Sequence, residues 1–128
     1  MLMISGAHFL LYSKDPEADQ QFLDDVLGTI SVPAEPGRRI FALPPGEIAT
    51  HPGGGEFVQQ HAGHDLMGLV LYLVCGDLRS TVEALQARDT HCTEIEETEF
   101  GLKTTIILPS GGEIGLYQPS HQTAFDAG

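Results

Sequence analysis

The sequence predicts an α+β fold made of two βαβββ modules, paired into an open eight-stranded cup with the helices outside. Three observations predict it. Residues 6–28, GAHFLLYSKDPEADQQFLDDVLG, and residues 68–87, GLVLYLVCGDLRSTVEALQA, each read as an apolar strand, an Asp and an amphipathic helix. Asp15 and Asp77, which align, stand 62 positions apart in a chain of 128, close to half its length. Each half then closes on a matching segment, LPPGEIATH at 43–51 and LPSGGEIGLY at 108–117. Self-similarity at a fixed offset marks a repeated structural unit, and a site shared by two such units belongs between them.

In the first module, residues 3–13 have strand character. Asp15 is placed to cap a helix, with Pro16 at its first position, where the missing N–H costs nothing. Ala18, Phe22 and Val26, joined by Leu23 and Leu27, make one apolar stripe at spacings of three and four. Gly28 follows as a left-handed stop. Strands are expected at 29–32, 39–43 and 47–51, the last two joined by a tight turn at Pro44, Pro45 and Gly46.

Module one is thus assigned to 1–52. A glycine-rich connector with little periodicity fills 53–65, module two spans 66–119, and a tail covers 120–128. Module two repeats the order. Residues 67–75 form an apolar strand suited to burial on both faces. Asp77 caps a helix with Leu78, Val82 and Leu85 on one side. Strands follow at 93–99, 102–108 and 113–117, with a turn at 109–112.

Composition narrows the function. Six Lys and Arg against 18 Asp and Glu give a net charge of −12, which repels phosphate-rich partners. Nucleic acid and anionic membrane surfaces are therefore poor candidates as partners; the acidity suits a cationic ligand, but its first reading is a soluble surface, since much of it lies on helix faces and in the Glu94, Glu96, Glu97, Glu99 run. A hydrophobic fraction of 41% with 19% charged residues fits a folded domain. The longest apolar run, 67–75, is too short to span a bilayer, and no leader is apparent at the start, so a cytoplasmic protein is expected. Cys75 and Cys92 fall in strands and are expected as free thiols.

The opening GAHFLLYSKDPEADQQFLDDVLG, the LVCGDLRSTVEALQA start of module two and the LPSGGEIGLYQP ending together resemble the vicinal oxygen chelate superfamily. That family includes glyoxalase I, extradiol dioxygenases and the bleomycin and fosfomycin resistance proteins. With the duplication, the resemblance covers nearly the whole chain. It implies a homodimer and, in the family's enzymes, a divalent metal (Fe, Zn, Mn or Ni) held in the cup by residues from the first and last strand of each module. Such a metal binds two neighbouring substrate oxygens and stabilises an enolate or activates oxygen. Carried onto this chain, the four ligand positions fall on His8, Ala49, Val70 and Gly115. Only His8 can bind a metal. His51 and Glu113, which share the strand faces of Ala49 and Gly115, are displaced alternatives. A shift of two residues along a strand is about 6–7 Å, several metal–ligand bond lengths.

The remaining site candidates are Tyr72 and Tyr117, whose alternation directs them into the cup with a ring for packing and a hydroxyl for orientation. His8 and His51 are candidate ligand-binding residues. Glu47 and Glu113 follow glycine-containing turns and read as exposed carboxylates. His61 and His64 lie in the connector and His121 in the tail, where it takes part only if the tail folds over the cup. Two functions compete. One is a bleomycin-resistance-like protein that binds a small cationic or aromatic molecule without the usual metal. The other is a metal-dependent lyase or extradiol-type dioxygenase with a rearranged site that includes His8.

Overall fold

A computed structural model describes residues 8–34, 36–53 and 55–126. Helix α1, Pro16–Asp25, starts where the Asp15 carboxylate accepts the Ala18 N–H at 3.2 Å, with Pro16 in the first turn. It is capped at Val26, and the chain turns away two residues later at Gly28, whose φ of +68° is a left-handed conformation that glycine adopts without penalty. Phe22 is buried, and Val26 and Leu27 pack beside it. Strands β1, Ser31–Pro33, and β2, Arg39–Phe41, form an antiparallel hairpin. The Gln20 side chain ties this hairpin to α1, accepting the Arg39 N–H at 2.6 Å and donating to the Gly37 carbonyl at 3.1 Å.

A second hairpin, β3 (Gln59–His61) and β4 (His64–Leu66), occupies the segment read as a connector. Its two-residue turn is Ala62–Gly63, both at positive φ (51° and 82°), the twist that two-residue hairpins need.

Strand β5 (Tyr72–Val74) leads into helix α2 (Leu78–Gln86), followed by β6 (His91–Cys92), β7 (Glu96–Thr98), β8 (Gly101–Ile107) and β9 (Glu113–Pro119). The five strands form one sheet in the order β5–β9–β8–β6, with β7 also paired to β8. β5 runs parallel to β9 and the other pairs are antiparallel. The strand expected at 93–99 is split into β6 and β7 because Thr93 breaks the ladder. Its hydroxyl accepts the Thr105 N–H at 3.0 Å, in place of a backbone carbonyl.

Helix α2 is capped by Asp77, which accepts the Ser80 N–H at 3.1 Å. The Leu78 N–H, another orphan of the helix start, donates to Gln118 Oε1 on β9 at 2.8 Å. Leu78, Val82 and Leu85 meet Ile106, Leu108, Ile114 and Leu116 from one face of β8–β9, and Phe22 of α1 completes this core. Burial of that apolar surface is the main stabilising term.

Module one is less regular than its sequence suggests. Residues 8–13, the described part of the expected first strand, and residues 47–51 form no strand. A strand forms only where a neighbour takes its N–H and C=O groups, and neither segment has such a neighbour among the described residues. The eight expected strands are accordingly not joined into one sheet among the described residues. The run 67–75 is covered on one face only: Leu71, Leu73 and Cys75 pack on the core, whereas Met67, Leu69, Val70, Tyr72 and Val74 are exposed.

Candidate functional site

Alternation along β8 and β9 sends Thr104, Ile106, Ile114 and Leu116 into the core and leaves Lys103, Thr105, Gly115 and Tyr117 on the opposite, open face. Pairing across the sheet sets these residues in two rows. Tyr72, Gly115 and Thr105 make one, and Val74, Tyr117, Lys103 and Glu96 make the other.

The first row contains a close packing contact. A Cβ built on Gly115 would lie 2.2 Å from Tyr72 Cδ1 and 2.4 Å from its Cε1. The tyrosine ring therefore lies on the bare Gly115 backbone and takes the space a side chain there would fill. The second row brings Tyr117 beside it. The two rings meet edge-on with centroids 6.0 Å apart at 63°, a favoured geometry for aromatic pairs. Tyr117 donates its hydroxyl to the Phe100 carbonyl at 2.8 Å. Loss of water around the phenol, and then the negative charge of Glu47, push its pKa above the ordinary value.

Two elements outside the sheet reach the same end of the face. Glu47 comes from the irregular end of module one, and its Oε1 accepts the Ala124 N–H at 2.8 Å. His121, from the tail, sets its Nε2 3.7 Å from Glu47 Oε2 and its ring 6.0 Å from that of Tyr117. His121, Tyr117 and Tyr72 thus form a row of three rings with a carboxylate at one end. At the other side, Lys103 pairs with Glu96 at 3.6 Å. A cavity of about 90 Å³ lies there, lined by Tyr72, Thr93, Glu96, Lys103, Thr104 and Thr105. Drug-sized ligands fill about 300–1,000 Å³, so this cavity is a polar recess and a larger guest would rest on the open face. A wider groove between α1 and the β1–β2 hairpin, about 670 Å³, is lined by residues such as Gln20, whose side chain accepts the Arg39 backbone N–H, and Arg39, whose guanidinium is already engaged by the Gln20 carbonyl and Asp24.

The metal-ligand candidates are not brought together. His8, His51 and Glu113 are exposed, and no group of three or more His, Cys, Asp or Glu among the described residues is placed to hold a metal ion. Ala49, Val70 and Gly115 offer no donor. The Tyr72 ring lies where a side chain at Gly115 would stand, so the described residues do not fit the metal that the resemblance implies. His61 instead hydrogen-bonds the Tyr12 hydroxyl, and His64 lies exposed on β4. Cys75 and Cys92 are free, and burial pushes both thiols up; at Cys75 the charge of Asp77 adds to this while a hydrogen bond from Thr81 opposes it.

In the sequence Glu47 reads as a turn carboxylate, and Lys103 and Glu96 belong to no motif. The one signal for the first was the repeat itself, since Glu47 and Glu113 occupy matching places in the two modules.

Comparison with known proteins gives the fold. No family model and no curated protein matches the chain. Among solved structures it is similar to TnmS3, an antibiotic binding protein from Streptomyces sp. CB03234, at 20% identity and a TM-score of 0.57, covering 94% of this chain and 100% of that one. It is similar to a lactoylglutathione lyase from Agrobacterium tumefaciens at 17% identity and a TM-score of 0.60, over 91% and 96% of the two chains. A protein from the mobile metagenome of V. pseudocholerae matches at 23% identity and a TM-score of 0.56, over 94% and 99%. No helix among the described residues is long and apolar enough to cross a membrane.

Proposed function

We propose that this chain, which has the fold of the glyoxalase and bleomycin-resistance proteins, binds a small cationic or aromatic molecule on the Tyr72–Tyr117 face without the usual metal centre. The observation that carries this reading is the Tyr72 ring seated on Gly115. At the position where the family's enzymes place a metal-binding carboxylate, this chain has a glycine, and an aromatic ring fills the space. The face thereby exchanges a charged, metal-holding corner for a stacking surface. The antibiotic-binding protein with the same fold supports a binding role for this architecture.

The reading extends to a homodimer. Exposed apolar side chains concentrate in module one and in the segment leading to β5, with Ile48 and Met67 both 84% exposed and Phe9–Tyr12 also open. Monomers rarely leave large contiguous apolar patches to water. A second copy of the chain, bearing the same uncharged segments, is the partner that suits them, and a dimer interface normally buries about 1,200–2,000 Å². Light scattering on the purified chain tests this, and a monomer at micromolar concentration overturns it.

Metal analysis of protein purified without chelator or affinity tag decides between binding protein and metalloenzyme. The binding reading expects no stoichiometric metal and a ligand affinity that drops about tenfold or more in Tyr117→Ala, the loss of one stacked ring. Stoichiometric Fe, Zn, Mn or Ni that disappears in His8→Ala would establish the lyase or dioxygenase reading instead.

A further inference from the structure

The tail is anchored in a way that connects it to the aromatic row. Its first residue donates backbone N–H to the Phe100 carbonyl at 2.8 Å, and Thr123, buried, hydrogen-bonds Asp126 at 2.8 Å. Between these points His121 lies beside the Tyr117 ring, its Nδ1 hydrogen-bonded to the Gln122 carbonyl at 2.8 Å. Ala124 and His121 both converge on one carboxylate, that of Glu47, 77 and 74 positions earlier in the chain. Glu47 thus fastens the tail to module one at the end of the candidate site.

We infer that residues 120–126 are a lid over the Tyr117 end of the face, latched by Glu47, and that a ligand carrying a cationic nitrogen beside an aromatic ring enters by taking the carboxylate from the tail. The inference rests on the Tyr72–Tyr117 face being the ligand site. The tail offers Glu47 an N–H donor and an imidazole lying next to an aromatic ring. A cationic aromatic molecule offers the same pair in one body. Glu47 and the Tyr117 ring both lie against His121, so a cation that displaces the imidazole meets the carboxylate and a ring face together. Lys103, on the same face, is already paired with Glu96 and does not compete for Glu47. The chain's net charge of −12 adds a long-range attraction for cations.

The latch can be cut from either side, with opposite consequences for the ligand. Glu47→Gln removes the carboxylate. His121→Ala with Ala124→Pro removes the tail's two donors and leaves the carboxylate free. Amide hydrogen exchange, with no ligand present, reads the lid alone: residues 120–126 should exchange about tenfold faster in both variants, a loss of about 1.4 kcal/mol of protection, while β8 and β9 keep theirs. Unchanged exchange in the tail, or loss of protection throughout the sheet, overturns the latch.

The benzylammonium ion, which carries N–H donors and a ring in one body, then serves as the probe. Its binding is followed by tyrosine emission, since the chain has three tyrosines and no tryptophan. The His121→Ala/Ala124→Pro chain should bind it about tenfold more tightly than the native chain, and adding Glu47→Gln should abolish that gain. Equal affinity in native and tail variants, or no saturable binding to the tail variant, overturns the lid. A gain that survives Glu47→Gln overturns the role of the carboxylate. If Tyr72→Ala and Tyr117→Ala leave probe binding unchanged, the face is not the ligand site, and the exchange result still reports the latch.

Discussion

The ring of Tyr72 rests on Gly115, so closely that a Cβ there would approach its Cδ1 to 2.2 Å. The backbone of Gly115 is not in a left-handed conformation, so the requirement for glycine is steric and comes from one neighbour. Gly115→Glu, which puts a carboxylate under that ring, should therefore destabilise the chain by about 1–3 kcal/mol through overpacking. Most of that loss should be recovered in Gly115→Glu/Tyr72→Ala. Urea denaturation of the two variants checks the coupling, and equal stabilities would show that the ring swings clear.

Asp19 joins the two modules. Although buried, its carboxylate accepts the Ser13 hydroxyl at 2.6 Å, the Ser110 hydroxyl at 2.7 Å and the Ser110 N–H at 3.1 Å. Asp19→Ala leaves three donors without their acceptor and should cost about 2–3 kcal/mol. Ser110→Ala, which keeps the backbone donor, should cost about 1 kcal/mol. A shift of the urea midpoint with unchanged slope is the expected signature.

The Tyr117 phenol is held in its neutral form by lost hydration and by Glu47. Because the folded-state pKa is raised, the unfolded phenol ionises first as pH rises, and that ionisation draws the equilibrium away from the native chain. The neutral phenol's contribution to stability is therefore complete below about 10 and is lost as pH rises through the folded value. Phenolate absorbance should show one tyrosine titrating late. Glu47→Gln should lower its midpoint without restoring the ordinary value, because desolvation is the larger cause. Tyr117→Phe should remove this part of the alkaline destabilisation.

Burial and raised pKa make both thiols poor nucleophiles. At neutral pH a disulfide reagent should modify the folded chain at least about tenfold more slowly than the unfolded one. Cys75, half-buried, should react before Cys92, which is 7% exposed. Mass spectrometry of partly modified protein gives the order.

The helices were legible because their signals are local. Asp15, Pro16 and Gly28 mark α1, and Asp77 marks α2, all within a turn of the backbone they organise. The common face of Tyr72 and Tyr117 was legible too, since strand alternation needs no knowledge of partners. The β3–β4 hairpin was missed because its strands are short and polar, with only Gly63 to mark the turn. The strand expected at 47–51 failed for the opposite reason: its pattern was right, but a strand needs a neighbour and Glu47 bonds the tail instead.

By itself the sequence determined the similarity of its two halves, the two capped helices, the acidic charge, and the donorless side chains at Ala49, Val70 and Gly115. Each is a property of residue type and spacing along one chain. Only the tertiary structure decided that Tyr72 fills the space above Gly115, that Asp19 holds Ser110, and that Glu47 meets His121 and Ala124. These residues lie 43 to 91 positions apart, and no local rule carries their approach. Close packing of the folded sheet and helices brings them together, and from that packing the candidate site is made.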